Sequence, residues 1–251
     1  ATQADDKKDA RGMAIKILGV SGKKILENDD QAMTQDFIMI NHPVFFVDEP
    51  HRYLAFIEDM NSKSTLKKLH VPFALGFQGT INALRASNSK ISNPLQARYW
   101  SMVPYQLGLG TDRQAVKYSA RPCSPHLDQI PNKPSPNFLR EALQNTLNKN
   151  DACMEFLIQP RTSNKMLIED SMTEWQETQA PFYQVATIHI PQQIFDTPEQ
   201  NQFCENLSFT PWHSLPEHRP LGAINRLRKV IYENISLIRH EMNSTPRKEP
   251  Q

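Results

Sequence analysis

The spacing of hydrophobic and polar positions changes several times along this chain. Residues 13–20 and 36–47 are β-branched and aromatic runs bounded by Gly, Asn and Asp, which predicts two largely buried strands. Pro43 cannot donate to a ladder, so a bulge or irregularity is expected in the second. From residue 50 the period shifts: Tyr53, Leu54, Phe56, Ile57 and Met60 recur at three and four, with Pro50 in the first turn. A short amphipathic helix over 50–60 follows, and helical spacing resumes over 73–86. Residues 98–109 and 114–121 are strand-like and joined by Gly108, Gly110, Thr111 and Asp112, a hairpin composition that favours an antiparallel sheet.

Pro125, Pro131 and Pro134 make 124–135 an extended connection rather than a domain boundary. A helix over 137–149 with Asn137 as its cap comes next, then strands near 153–159 and 182–190 and a helix over 198–207. The most regular stretch is the last, 220–242, where Ile224, Leu227, Ile231, Ile235, Ile238 and Met242 form one narrow apolar stripe at helical spacing. The whole, 1–251, reads as a single α+β domain: an antiparallel β-barrel with flanking helices.

Charge narrows the function classes. Lys and Arg number 28 against 27 Asp and Glu, so there is no basic excess to neutralise a phosphate backbone, and nucleic acid is a poor partner. No apolar run approaches the ~18 residues of a membrane-spanning helix. Cys123, Cys153 and Cys204 are odd in number, widely spaced and without a C-x-x-C pair, an arrangement that indicates neither a disulfide framework nor a structural zinc site. It favours a reducing compartment, the cytoplasm over the periplasm. Residues 1–11 are polar and lack the apolar core of a secretory signal.

Several motifs fail on their mechanics. Gly19 to Lys24 is faintly like a phosphate loop, but its glycines are too close and no Ser or Thr follows the lysine to hold magnesium, so a plain turn is expected. There is no G-x-S-x-G, no H-E-x-x-H and no dinucleotide fingerprint. His213, Glu217 and His218 offer metal-ligand chemistry, yet they lie in a proline-rich loop where histidines more often satisfy neighbouring polar groups.

Candidate chemistry concentrates on the terminal helix. Advancing ~100° per residue, Arg228, Tyr232 and Arg239 fall together on one flank of the apolar stripe. Arg228 and Tyr232, at i and i+4, are close enough for the guanidinium to bond the phenol oxygen and favour its ionised form, which suits a phenolate ligand for ferric iron. An ordinary amphipathic helix with a rim tyrosine and solvated arginines would show the same spacing.

In order along the chain, residues 9–16 (DARGMAIK), 41–47 (NHPVFFV), 53–57 (YLAFI) and 228–232 (RKVIY) resemble the haem-binding core of the catalases. Residues 206–222 (NLSFTPWHSLPEHRPLG) are similar to short catalase-related proteins that lack the C-terminal domain of the large enzymes. The resemblance implies haem b between the barrel and the terminal helix, Tyr232 as the proximal iron ligand, Arg228 stabilising its phenolate, and Arg239 reaching a propionate. It implies Asn41 as the distal residue that orients peroxide and Tyr53 on the haem face, where the family has phenylalanine. The implied activity is haem-dependent breakdown of hydrogen peroxide, of catalase or peroxidase type; a homodimer is implied in the same way.

Two departures qualify the resemblance. Tyr53 makes the haem wall more polar, and no histidine precedes His42, although catalases carry their distal base upstream of the D-x-R-G motif. Neighbouring residues of a strand face opposite sides, so if Asn41 faces the iron His42 does not, and it reads as a histidine that satisfies the core or backbone. The expectation is that a first barrel strand carrying the base belongs to a longer parent protein, because a barrel without it exposes an unpaired edge. Two alternatives stand beside this reading. One is a fatty-acid hydroperoxide isomerase or lyase on the same frame, with Phe45, Phe46, Leu54, Phe56 and Phe73 as an apolar channel. The other is a haem protein without turnover.

Overall fold

A computed structural model describes residues 3–247 and 249–250, with the backbone alone for 65–68. Seven antiparallel strands form one sheet: β1 (Gly12–Leu18), β2 (Thr34–Ile40), β3 (Tyr99–Trp100), β4 (Tyr105–Leu107), β5 (Gln114–Pro122), β6 (Ala152–Pro160) and β7 (Tyr183–Ile190). The order is β1-β2-β3-β5-β6-β7, with β4 on β5 beside β3. The expected barrel is a curled half-barrel, with β1 and β7 at its edges among the described residues. Five helices flank it: α1 (Pro50–Asn61), α2 (Thr65–Ser87), α3 (Phe138–Leu147), α4 (Pro198–Asn206) and α5 (Ala223–Met242).

Alternation places one face of each central strand in the core. Phe37, Met39, Tyr99, Tyr105, Val116, Tyr118, Ala120 and Met154 are buried together, with Val47, Leu75 and Ile224 closing the core from the helices and loops. Tyr118 sits at its centre, 5.0 Å between ring centroids from both Phe37 and Tyr105. The predicted strand over 98–109 is two short strands, because Met102 adopts a left-handed φ of 63° and turns the chain between them.

The second predicted strand, 36–47, ends at Ile40. Beyond it the chain is held by scattered backbone bonds, Asn41 N–H to the Arg11 carbonyl and Phe45 N–H to the Ser171 carbonyl, and by side chains. Asn41 Oδ1 accepts from the Arg11 N–H at 2.7 Å, and His42 Nδ1 lies 2.9 Å from the Val44 carbonyl, the backbone-satisfying role expected of that histidine. The helix predicted over 73–86 starts at Thr65 and is broken at Gly76, whose φ of 69° favours glycine. Helix α3 is not capped by the Asn137 side chain; the Asp5 carboxylate accepts instead from the Leu139 N–H at 3.1 Å.

The cysteine expectation is also corrected. Cys123 and Cys153 form a disulfide, their Cα atoms 5.5 Å apart, because the β5–β6 register brings residues 30 apart in sequence side by side. Spacing alone cannot show such a pair, and it withdraws the reason for inferring a reducing compartment. Cys204 is free and exposed. No helix among the described residues is long and apolar enough to cross a membrane.

Helix α2 approaches residues 41–47 closely. A Cβ at Gly79 would lie 2.4 Å from the Phe46 carbonyl oxygen, and Asn82 Nδ2 donates to both the Phe45 and Met172 carbonyls. Because the obstacle is backbone, Gly79→Ala is expected to cost about 1 to 3 kcal/mol, measured as a lowered urea midpoint. Gly19→Ala, at an open position with a positive φ, is the comparison that reports conformational strain alone.

Candidate functional site

Arg228 is a buried charge at the heart of the site. It lies on the inner face of α5, one turn before Tyr232, and is 6% exposed. Its guanidinium donates to Tyr105 Oη at 3.4 Å, to Asn225 Oδ1 at 3.2 Å and to Tyr232 Oη at 3.2 Å. Among the described residues none of its hydrogen-bond partners is a carboxylate. Burial opposes its charge, but the phenols of Tyr232 and Tyr105 outweigh that and hold the group above its ordinary value, so it stays cationic. A buried cation facing only neutral acceptors is costly, and ionisation of a phenol beside it lowers that cost.

The N-terminus of α5 is fixed from three directions. Asn225 Nδ2 donates to the Pro104 carbonyl at 2.9 Å, Trp212 Nε1 donates to the Asn225 carbonyl at 2.6 Å, and Glu169 accepts from the Ala223 N–H at 2.6 Å. Gly222, with φ 86°, makes the entry turn; a Cβ there would lie 2.8 Å from the Ile168 carbonyl oxygen.

Tyr232 opens on a cleft of about 350 Å³ lined by Tyr53 of α1, Ser208, Phe209, Ile231, Ile235, Ser236 and Arg239. That volume suits a small-molecule site. The loop carrying Ser208 and Phe209 is pinned to β2 by Asp36, which accepts from the Thr210 N–H at 3.0 Å and from Lys16 at 2.7 Å. Burial pushes the Tyr53 phenol up, and Tyr232 nearby adds to that, while Arg228 works against it.

The structure thus brings Tyr53, Arg228, Tyr232 and Arg239 to one place. Arg239 lines the cleft, but its guanidinium donates to the Glu205 carbonyl at 3.0 Å and to the Leu207 carbonyl. Asn41 is not in the cleft: its oxygen is held by Arg11, and its Nδ2 donates to Ser89 Oγ at 2.8 Å. Of the residues considered for an apolar channel, Phe45, Phe46 and Phe56 pack around Tyr53, whereas Phe73 is exposed. The apolar stripe of α5 is buried only at its start; Ile235, Ile238 and Met242 are exposed.

Sequence reasoning missed five groups: Tyr105, Asn225, Ser236, Ser208 and His240. Tyr105 carries no local signal, whereas Asn225 precedes Arg228 by three residues and Ser236 follows Tyr232 by four, each at helical spacing. Ser236 Oγ lies 2.5 Å from Ser208 Oγ, which lies 2.8 Å from Nε2 of the buried His240. His240 Nδ1 faces the Thr245 carbonyl at 3.1 Å, so Nδ1 carries the proton and Nε2 accepts. A buried imidazole is therefore reached from the cleft through two hydroxyls.

The other histidines have different work. His213, fully buried, bridges Asp29 at 3.0 Å and Thr34 Oγ1 at 2.6 Å, and Glu249 completes a group with metal-ligand geometry. Arg247 and Lys16 already neutralise those carboxylates, which makes it an ion-pair cluster. In the sequence considered as a phosphate loop, Lys24 donates inward to the Val20 and Gly22 carbonyls, as a turn would have it. His218 lies 2.8 Å from Gln35 Nε2.

No protein-family model and no curated protein matches the chain. Solved structures do. A fungal catalase aligns at a TM-score of 0.69 over 96% of this chain with 18% identity, and catalase A from Saccharomyces cerevisiae at 0.66 over 94% with 17%. The chain spans about half the length of each. The fold is catalase-like.

Two measurements probe this region. Arg228→Met leaves Asn225 Oδ1 and the two phenols without their donor and is expected to cost about 1 to 3 kcal/mol by urea unfolding. His218 is held below its ordinary value of 6.5 by burial, Glu217 opposing. The unfolded chain therefore binds this proton more readily, and the contribution of His218, complete above pH ~6.5, is lost as pH falls through its lowered value. His218→Gln should flatten the acid side of the stability curve there; an unchanged slope would contradict the assignment.

Proposed function

We propose that the cleft between α1 and α5 binds haem b with the Tyr232 phenolate as the iron ligand, and that the protein acts on peroxides as a catalase-related oxidoreductase. The observation that carries this reading is the buried guanidinium of Arg228 against Tyr232, where a phenolate is the missing counter-charge, within a catalase-like fold. The donor set fits ferric iron: a phenol oxygen at the cleft wall, with a fixed cation behind it to keep it ionised. When bound, the haem iron would supply the redox chemistry of peroxide breakdown.

The chain's own residues have definite parts. Arg228 holds the negative charge on Tyr232 Oη, and Asn225 and Tyr105 hold Arg228 in place. Tyr53 and Phe209 give the cleft aromatic walls that exclude water. Arg239 supplies a cation at the rim, where an acidic group of a ligand would compete with the two backbone carbonyls it serves and with the Glu205 carboxylate 3.5 Å away. No imidazole or carboxylate is among the lining residues, so a proton leaving the cleft travels from Ser236 through Ser208 to Nε2 of His240.

Titrating the purified chain with ferric haem, beside Tyr232→Phe, tests the reading. A stoichiometric high-spin spectrum of the phenolate type that is lost or altered in Tyr232→Phe is the expected result. Identical spectra from the two proteins, or no binding by either, would remove Tyr232 as ligand. Supplying the loaded protein with hydrogen peroxide and with a fatty-acid hydroperoxide then ranks the two substrate classes.

A further inference from the structure

Outside the cleft beside α5, with which it shares no lining residue, the sheet carries a second reactive group. The Cys123–Cys153 disulfide lies where β5 ends against β6, and both residues line an open cleft of about 700 Å³. His126, Asp151 and His189 share that lining. In the β6–β7 register Cys153 stands directly opposite His189, and paired residues on one face bring their Cβ atoms to ~5 Å. His189 Nε2 lies 2.9 Å from Asp151 Oδ2, which fixes its N–H there and leaves Nδ1 as the second, exchangeable nitrogen.

Sulfur, imidazole and carboxylate thus follow one another across adjacent strands, the order in which a thiol is served by a base that is itself oriented. The bond is dispensable for register, since β5 and β6 are already zipped from Val116↔Pro160 to Pro122↔Met154. It is also accessible: Cys123 is exposed and Cys153 half-buried. Exposed disulfides are the labile ones, whereas structural bridges resist reduction.

We propose that Cys123–Cys153 is a redox-active pair that exchanges with small thiols of the glutathione class, with His189 as the proton donor and acceptor for Cys153. An incoming thiolate attacks the exposed Cys123 sulfur; the S–S bond breaks and Cys153 leaves as thiolate, taking a proton from His189. A second thiolate attacks the small-thiol sulfur of the mixed disulfide; that S–S bond breaks, and Cys123 leaves as thiolate and takes the proton that the incoming thiol gave up. Two small thiols are oxidised to their disulfide, and the protein pair is reduced to two thiols. The reverse sequence reoxidises it. The other charges on this face are His126, paired with Asp128, and Arg121, paired with Glu155 one step along the strands.

The test uses the full chain carrying Cys204→Ser, so that every thiol counted belongs to the pair. Incubated in reduced glutathione and trapped with a maleimide reagent, it should go from no reactive thiols to two, and glutathione disulfide should reverse this. His189→Gln, at a position 64% exposed and so not needed for folding, should slow reduction at least about tenfold near pH 7 and change its pH profile. With Cys153→Ser, mass spectrometry should find glutathione on Cys123. A pair that millimolar glutathione leaves intact, or a His189→Gln variant with the parent's rate and pH profile, would overturn the proposal.

Discussion

A guanidinium buried without a carboxylate is the constraint around which this molecule is arranged. Arg228 must be satisfied by whatever the fold can bring to it, and the fold brings two phenols and an amide from two elements distant in sequence. Tyr105 is presented by β4 and Asn225 by α5. The contacts that dock the start of α5, through Pro104, Trp212 and Glu169, therefore also hold the donors and acceptors of the site in line. Lysine could not substitute: a single ammonium does not present the planar fork that serves three acceptors.

The same commitment shapes the polarity of the cleft. Most of its lining is hydroxyl or hydrocarbon, and the cations are tied back into the protein, Arg228 to phenols and Arg239 to carbonyls. What faces the cavity is the Tyr232 phenol, with the Arg228 guanidinium behind it, together with a hydroxyl pair leading to His240. A ligand atom would meet the phenol and the hydroxyl pair between the aromatic and aliphatic walls of Tyr53, Phe209, Ile231 and Ile235.

Local regularity was legible in the sequence because it is written in period and turn chemistry. The 3.6-residue stripe of α5, the glycine-bearing turn before β5 and the prolines of 124–135 each act within a few residues. So does the pairing of Arg228 with Tyr232, which is fixed by helix geometry. What was not legible depends on register between distant segments: Tyr105 beneath Arg228, Cys123 beside Cys153, and Asp29 and Glu249 around His213. Asn41 shows the other failure. Its distal role was implied by the family resemblance; in the structure the strand ends at Ile40, and Arg11 and Ser89 take the amide.

The strand order carries a kinetic consequence. Apart from the small β4 offset, every strand pairs with its neighbour in sequence, through connections of unequal length, the longest being 41–98 between β2 and β3, which carries α1 and α2. The α1–α5 cleft instead joins Tyr53 to Tyr232, across most of the chain, and its entropy of closure is recovered only when the sheet is already in place. A ligand bound in the cleft would therefore act as a fastener between segments far apart in the chain, adding its binding free energy to that closure.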